Sequence, residues 1–258
     1  GSASMGRRKL EVAYSSSVAW ETVASYPKYQ NLYGTGSDFT YNPSSNGSWG
    51  SAFASQDSVP VWPAYLDAFP ELFPASGNMK YEAVPNNVRD LFRTGFMSEN
   101  SVSVNGGNEK SALSATASYL SQNGYVPHSD FNRGSMSIGG VTRLANGLSV
   151  NGNFAYSTSN QAGSIFGENQ VGGATSSFAR NLFLGRNWNI AGLPFETADG
   201  KPVSTNPAQY DNPLWAFLHN TVNTATDRYV AGLKFNYDDI TPWFSASYQL
   251  GINAQNFL

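Results

Sequence analysis

The sequence contains no cysteine and has little charge. The absence of cysteine among the 258 residues excludes both a disulfide scaffold and a thiolate metal site. Only 13% of the residues are charged, against about 25% in an average soluble domain. The net charge is −3, and the sequence has no basic stripe, which argues against nucleic acid as a partner.

Long apolar runs and catalytic clusters are also missing. No run reaches the roughly 18 apolar residues of a transmembrane helix. His128 and His219 are the only histidines, and no spacing of His, Asp and Glu predicts a metal site. No two acidic residues of the long irregular regions are ordered into the carboxylate pair that glycoside hydrolysis requires. We therefore expect no enzymatic activity, no catalytic residue, no metal and no cofactor.

In place of these features, the sequence has short stretches in which apolar and small polar residues alternate. This period of two is typical of β-strands that bury or cover one face only. Aromatic residues make up 14% of the chain, and many of them end the apolar face of a stretch or lie between stretches. The alternation predicts an all-β protein with about seven strands, at about residues 9–21, 97–105, 111–121, 132–144, 148–158, 226–237 and 243–254.

The connections between the predicted strands alternate in length. Tight turns are predicted at Gly106–Glu109 and at Asp238–Pro242, and Asn146-Gly147 predicts a two-residue hairpin. Long irregular loops are predicted at about residues 22–94 and 159–223. When short and long connections alternate, all the short turns lie at one end of the sheet. Outer-membrane barrels have this arrangement, with an apolar face towards lipid and a small polar face inside.

The apolar and polar faces can be assigned from the alternation. Leu113, Ala115, Ala117 and Tyr119 are predicted to face lipid, whereas Ser114, Thr116 and Ser118 are predicted to face the lumen. The same reasoning places a set of charged residues in the lumen: Glu11, Glu21, Arg133, Arg143 and Lys234.

The two long loops contain many aromatic residues and two predicted short helices. One helix is predicted over Asn86–Phe92, with Asn86 or Asn87 as the N-cap, and the other over Ser176–Leu184. Aromatic side chains suit stacking on sugar rings and packing at protein interfaces. The candidates for facing a substrate or partner are Tyr33, Trp49, Trp62, Trp188 and Trp215. The alternative, favoured for any single residue, is that these side chains anchor the loops to each other and to the membrane interface.

Several stretches of the chain resemble the SusC/RagA class of TonB-linked outer-membrane transporters of Bacteroidetes. The run Pro85–Gly95 resembles the segment before the family's second barrel strand, and Asn100–Ser111 resembles the strand-turn-strand that follows it. Tyr119–Ser129 resembles the family's Y-L-x-Q-x-G-x-V-P-x-S loop. The shorter matches are Gly47–Gly50, Asn212–Trp215 and Asp227–Tyr229.

The resemblance implies a 22-stranded antiparallel transmembrane β-barrel that carries an N-terminal plug. Residues 1–258 would supply about seven early strands, without the plug domain, and we therefore expect a portion of a longer transporter. In such a transporter the barrel imports an oligosaccharide or a peptide across the outer membrane, TonB acts through the plug, and a SusD-like lipoprotein covers the outer loops. The pairing of two transporters stays open. The family-motif residues that match are Asn87, Arg89, Asp90, Gly95, Gly106, Gly107 and Pro127.

Two alternatives fit part of the pattern. A soluble, secreted β-sandwich that binds glycans would explain the aromatic residues, but it requires a second layer against each apolar face. It also leaves the regular alternation of short and long connections unexplained. A barrel that acts as an enzyme or an adhesin fits the strands, but it does not fit the hairpin and loop that resemble the transporter family.

Overall fold

Most of the described strand residues lie in one antiparallel sheet. The computed structural model describes residues 10–45, 47–164, 183–238 and 243–257. Seven long strands form the sheet, and four short strands form two separate two-stranded sheets. In chain order the strands are β1 Glu11–Glu21, β2 Gly36–Ser37, β3 Thr40–Tyr41, β4 Ser58–Pro60, β5 Asn78–Lys80, β6 Gly95–Gly107, β7 Ser111–Asn123, β8 Asp130–Arg143, β9 Leu148–Ser164, β10 Thr221–Asp238 and β11 Ser245–Phe257.

The sheet is a simple meander with the strand order β1-β6-β7-β8-β9-β10-β11. Each long strand therefore pairs with the next long strand along the chain, and the seven predicted strands are confirmed. Strands β9 and β10 extend further than predicted, because their pairing continues as far as Ser164 and Thr221. The added residues of β9 are small and polar, so backbone hydrogen bonds rather than apolar alternation define this end of the strand.

The two faces of the sheet differ sharply in chemistry. The registers place Leu113, Ala115, Ala117 and Tyr119 on the same face as the apolar side chains of the neighbouring strands. This apolar face is solvent-accessible, and its large exposed side chains are Val12, Tyr14, Val18, Trp20, Val102, Leu113, Tyr119, Met136, Ile138, Phe154, Tyr229, Leu233, Phe235, Tyr248, Leu250 and Ile252.

The opposite face contains mostly serine, threonine, asparagine, glutamine and glycine. Across β6, β7 and β8, Thr116 lies between Ser103 and Ser137. The five predicted lumen charges also lie on this polar face by register. The structure thus confirms that the apolar and polar residues separate onto two faces.

The short connections follow the predicted positions with changes in detail. Gly106 and Gly107 are the last residues of β6, so the turn contains residues 108–110, and the Asn108 side-chain oxygen accepts from the backbone N–H groups of Lys110 and Ser111. After β8, the backbone N–H of Leu144 donates to the Leu148 oxygen at 2.7 Å, which leaves a three-residue rather than a two-residue loop. Residues 239–242 of the third predicted turn lie outside the described residues.

Gly147 is required in the β8–β9 loop for two reasons. Its φ of +76° lies in the left-handed region, and a Cβ at this position would lie 1.9 Å from the backbone oxygen of Asp238. Asn146 also has a positive φ, of 60°. Both values are typical of the Asn-Gly pair that the sequence places here.

The hydrophobic core lies in the two long loops rather than against the sheet. Segments 22–94 and 183–220 fold together into a loop layer, which contains two short helices, Pro63–Ala68 and Pro213–His219. Among the described residues, the ten largest fully buried side chains all lie in this layer, and they include Trp62, Tyr65 and Trp188. The loop layer therefore has a packed core of its own.

The predicted loop helices need correction. The described structure has a 3-10 helix over Arg89–Leu91 in place of the helix predicted over Asn86–Phe92. Its N-cap is Val88, without a side-chain cap, so the N-cap prediction for Asn86 or Asn87 is wrong. The reason is that the Asn87 side chain is used in bonds to the other long loop. The helix predicted over Ser176–Leu184 falls on residues of which 176–182 lie outside the described part.

Candidate functional site at the loop layer

Two of the five predicted surface aromatics are buried. Trp62 and Trp188 are each 1% exposed. Their rings lie against that of Tyr65, with centroids 5.8 Å and 6.4 Å away, and the Trp188 indole N–H donates to the Tyr65 hydroxyl at 3.2 Å. The prediction that these two face a substrate or partner is wrong, because they form the core that joins the two long loops. Both tryptophans instead fit the alternative in which aromatic side chains anchor the loops to each other.

Tyr33 and Trp49 do lie at the surface, and Phe39 joins them. The ring centroid of Tyr33 is 5.3 Å from that of Phe39 and 5.7 Å from that of Trp49. Phe39, Trp49 and the adjacent Leu32 are each more than half exposed. We call these four residues the aromatic patch. Phe39 and Leu32 are not among the residues that the sequence predicts to face a substrate or partner, because nothing in the local pattern distinguishes an exposed aromatic residue from a buried one.

A strained turn presents Phe39 to the solvent. Strands β2 and β3 are joined by Asp38 and Phe39, whose φ angles are 52° and 56°. A two-residue hairpin of this kind requires positive φ at both positions and favours Asn, Asp or Gly. For a bulky residue such as Phe39 the left-handed conformation is a genuine outlier. The backbone N–H of Phe39 donates to the Trp49 oxygen at 2.9 Å and helps to hold the turn in place.

Trp215 holds two parts of the second long loop together. Its indole N–H donates to the backbone oxygen of Gly200 at 2.9 Å, and its ring lies 4.7 Å from the His219 ring. The His219 Nε2 atom in turn lies 2.8 Å from a Glu196 carboxylate oxygen. Trp215 is half-buried and anchors the loop.

Arg186 is the polar centre of the loop layer, although no sequence pattern indicates this role. The residue is 1% exposed. Its guanidinium donates to the side-chain oxygens of Asn31 and Asn87 and to the backbone oxygens of Gln30 and Pro85. These bonds tie three segments together. Burial lowers the pKa of the Arg186 guanidinium, and the electrostatic interaction with the neighbouring Tyr29 acts in the opposite direction.

Asn87 is central to the same contacts. Its side-chain N–H group donates to the backbone oxygen of Gly185 at 2.9 Å and to that of Trp188 at 3.3 Å, while its oxygen accepts from Arg186. The neighbouring motif residues Arg89 and Asp90 are exposed on the 3-10 helix.

The other motif residues have roles in turns and close approaches. A Cβ on Gly95 would lie 2.8 Å from the Asn123 oxygen, and one on Gly107 would lie 2.6 Å from the Ser111 oxygen. Gly106 faces more open space. Pro127 is the second residue of a turn in which the backbone N–H of Ser129 donates to the Val126 oxygen at 3.2 Å.

The polar face of the sheet contains weak charge pairs. Arg133 lies 3.6 Å from Glu99, and Gln122 donates to the Glu21 carboxylate at 2.9 and 3.0 Å. Among the described residues, no group of three or more His, Asp or Glu side chains could hold a metal ion. The arrangement offers hydrogen-bonding side chains for a polar solute.

The comparisons with known proteins do not assign a family. No protein-family model matches the chain, and no curated protein matches it. None of the helices in the described residues is long and apolar enough to cross a membrane.

Proposed function

We propose that this chain forms part of the wall of a TonB-dependent outer-membrane transporter of the SusC/RagA class, which imports an oligosaccharide or peptide nutrient. The observation that carries the proposal is the apolar face, which runs across all seven strands of the sheet and is exposed. Water does not favour an apolar surface of this extent. A bilayer does, and strands that are apolar outside and polar inside are the pattern of a transmembrane barrel.

The dimensions of the sheet support a membrane crossing. The long strands have 11 to 18 residues, and a strand that crosses a bilayer at a tilt of about 45° needs about 9–11 residues. The two long connections and the six-residue β7–β8 connection lie at one end of the sheet, and the β6–β7, β8–β9 and β10–β11 connections lie at the other. Outer-membrane barrels have long outer loops and short periplasmic turns, so the loop layer would lie on the outer side.

The soluble glycan-binding alternative is less well supported. A β-sandwich packs a second sheet about 10 Å from the first, face to face. In the part of the chain that the structure describes, the only sheets besides the large one have two short strands each. The large side chains of the apolar face remain exposed. A soluble protein would require another partner to cover them.

The proposed transporter has three partners. Lipid would cover the apolar face, a plug linked to TonB would fill the polar side, and a SusD-like lipoprotein would close over the loop layer. The packed core of that layer supports the last role, because a rigid surface is a better docking platform than loose loops. No chemistry is assigned to the transporter itself.

Membrane dependence tests the proposal. The protein is expressed with its complete gene, cell membranes are washed with carbonate, and the purified protein is compared by size-exclusion chromatography and circular dichroism with and without detergent. We expect the protein in the outer-membrane fraction, and a folded, monodisperse species only with detergent or lipid. A folded, monodisperse protein in plain buffer would reject the barrel and favour the soluble alternative.

A further inference from the structure

A pocket lies between the two long loops, beside the aromatic patch. Its volume is about 400 Å³, which is in the range of small-molecule sites. The walls include Lys28, Tyr29, Ser48, Trp49, Phe183 and Arg186. Trp49 belongs to both the pocket and the aromatic patch, so the two form one continuous surface.

Hydrogen bonds fix the pocket walls. The Ser48 hydroxyl donates to the Leu184 oxygen at 3.1 Å, which joins the first long loop to the second. The Gln30 side chain donates to the backbone oxygen of Ser48 at 2.6 Å. The pocket is therefore built by contacts between distant segments of the chain.

The pocket has positive charge without a compensating anion. Of the described residues that line it, Lys28 and Arg186 are cationic, and none is acidic. The buried Arg186 is held by carbonyl and amide oxygens only, and neither cation forms an ion pair within the described part of the chain. A buried cation without a counter-charge is unfavourable, and a ligand carboxylate would supply the missing charge.

Aromatic groups lie next to this charge. The ring of Tyr29 stacks under the Arg186 guanidinium, with 4.9 Å between the guanidinium carbon and the ring centroid. The Tyr29 hydroxyl is buried and has no hydrogen-bond partner among the residues that the structure describes. Trp49 and Phe183 are each at least half exposed. The apolar face of a ligand ring can stack against them while its charge lies near the cations.

We propose that this pocket binds a ligand that carries a carboxylate close to a ring with an apolar face. The two sources of that chemistry are a uronic acid unit of an oligosaccharide and the terminal carboxylate of a peptide that ends in an aromatic residue. The interpretation as a substrate site rests on the proposed function, since it names the kind of nutrient. Binding itself can be measured without transport.

Calorimetric titration of the purified protein in detergent tests the site. The probes are galacturonic acid tetramer and its methyl ester, and a tetrapeptide ending in phenylalanine and its C-terminal amide. We expect one acid to bind at least about ten-fold more tightly than its neutral counterpart, because a charge-assisted hydrogen bond is about twice as strong as a neutral one. The acid that binds identifies the source. Equal binding of both acids and their neutral forms, or no binding, would overturn the proposal.

The variant Lys28→Gln and its control locate the binding. Lys28 is exposed, so the substitution should not affect folding, and we expect it to weaken binding of the acid by about five-fold. Lys201→Gln is the matched control, because Lys201 is an exposed loop lysine already paired with Asp199 at 2.7 Å. Unchanged affinity in Lys28→Gln, or equal losses in both variants, would reject this pocket. If the parent protein binds the acid but cells that carry the complete transporter do not take it up, the result would count against the proposed function alone.

Discussion

Arginine at Ala117 and at Thr116 distinguishes a lipid-facing sheet from a water-facing one. The two residues are adjacent in β7 and point to opposite faces. Ala117 lies between Val102 and Met136 on the apolar face, and Thr116 lies between serines on the polar face. Strand β7 has 13 residues, and Ala117 is the middle one. At about 3.4 Å per residue and a tilt of about 45°, the strand rises about 30 Å, so Ala117 would lie near the bilayer midplane.

The expected costs follow from that depth. Arginine on the lipid face near the midplane destabilises a barrel by about 2–4 kcal/mol. Arginine at Thr116 should cost less than about 1 kcal/mol, because the polar face lies beside water or the plug and Thr116 lines a surface depression with room for a longer side chain. The measurement is the free energy of unfolding in denaturant, with the protein folded into lipid vesicles.

A third variant controls for the tolerance of the strand. Ala117→Leu adds volume without charge to the apolar face, and its unfolding free energy should stay within about 0.5 kcal/mol of the parent or rise. Equal costs for the two arginine variants would refute the assignment of faces. An Ala117→Arg variant as stable as the parent would show that this face meets water.

Three further predictions concern the loop layer and its turns. Trp188→Ala should lower the free energy of unfolding by about 3–5 kcal/mol, whereas Trp49→Ala should change it by less than about 1 kcal/mol; limited proteolysis of the loops should follow the same order. Gly147→Ala should lower the thermal unfolding temperature by more than Gly200→Ala. Both glycines have a positive φ, but only at Gly147 would the added Cβ also collide with a backbone oxygen. Equal decreases in the unfolding temperature would show that the positive φ alone causes the destabilisation. Hydrogen bonds from Lys201 and Thr197 lower the pKa of Asp199 to about 2. The Asp199 carboxylate should therefore stabilise the turn fully above the ordinary pKa of an aspartate, and this stabilisation should be lost only as the pH falls towards 2. A carboxyl NMR titration with a midpoint near 4 would contradict this.

The sheet could be predicted from the sequence because its determinants are local. In β1, the alternation from Val12 to Trp20 specifies which side chains share a face, and the same is true of β10 and β11. Where the alternation stops, as after Thr158 in β9, the prediction ended too early. Backbone pairing alone continues the strand there, and pairing has no signature in the side-chain pattern.

The loop layer could not be predicted, because its determinants are contacts between distant residues. Arg186 and Asn87 are 99 positions apart, and neither belongs to a periodic pattern. Trp62 and Trp49 occur in similar stretches rich in aromatic and small residues, yet one is buried and the other exposed. Burial there is decided by which segments of the two long loops meet, and a single sequence does not contain that information.

The location of the core bears on how the proposed transporter would work. In a soluble β-protein the sheet and the loops share one core, so movement of the loops disturbs the sheet. Here the large buried side chains lie within the loop layer. The apolar face of the sheet is exposed, and lipid would cover it in the proposed transporter. The loop layer can therefore keep its own shape, including the pocket around Arg186, when the polar side of the sheet opens or closes. Stability of the sheet and binding at the loops should then respond to different substitutions, since the ten largest fully buried side chains of the described residues belong to the loop layer.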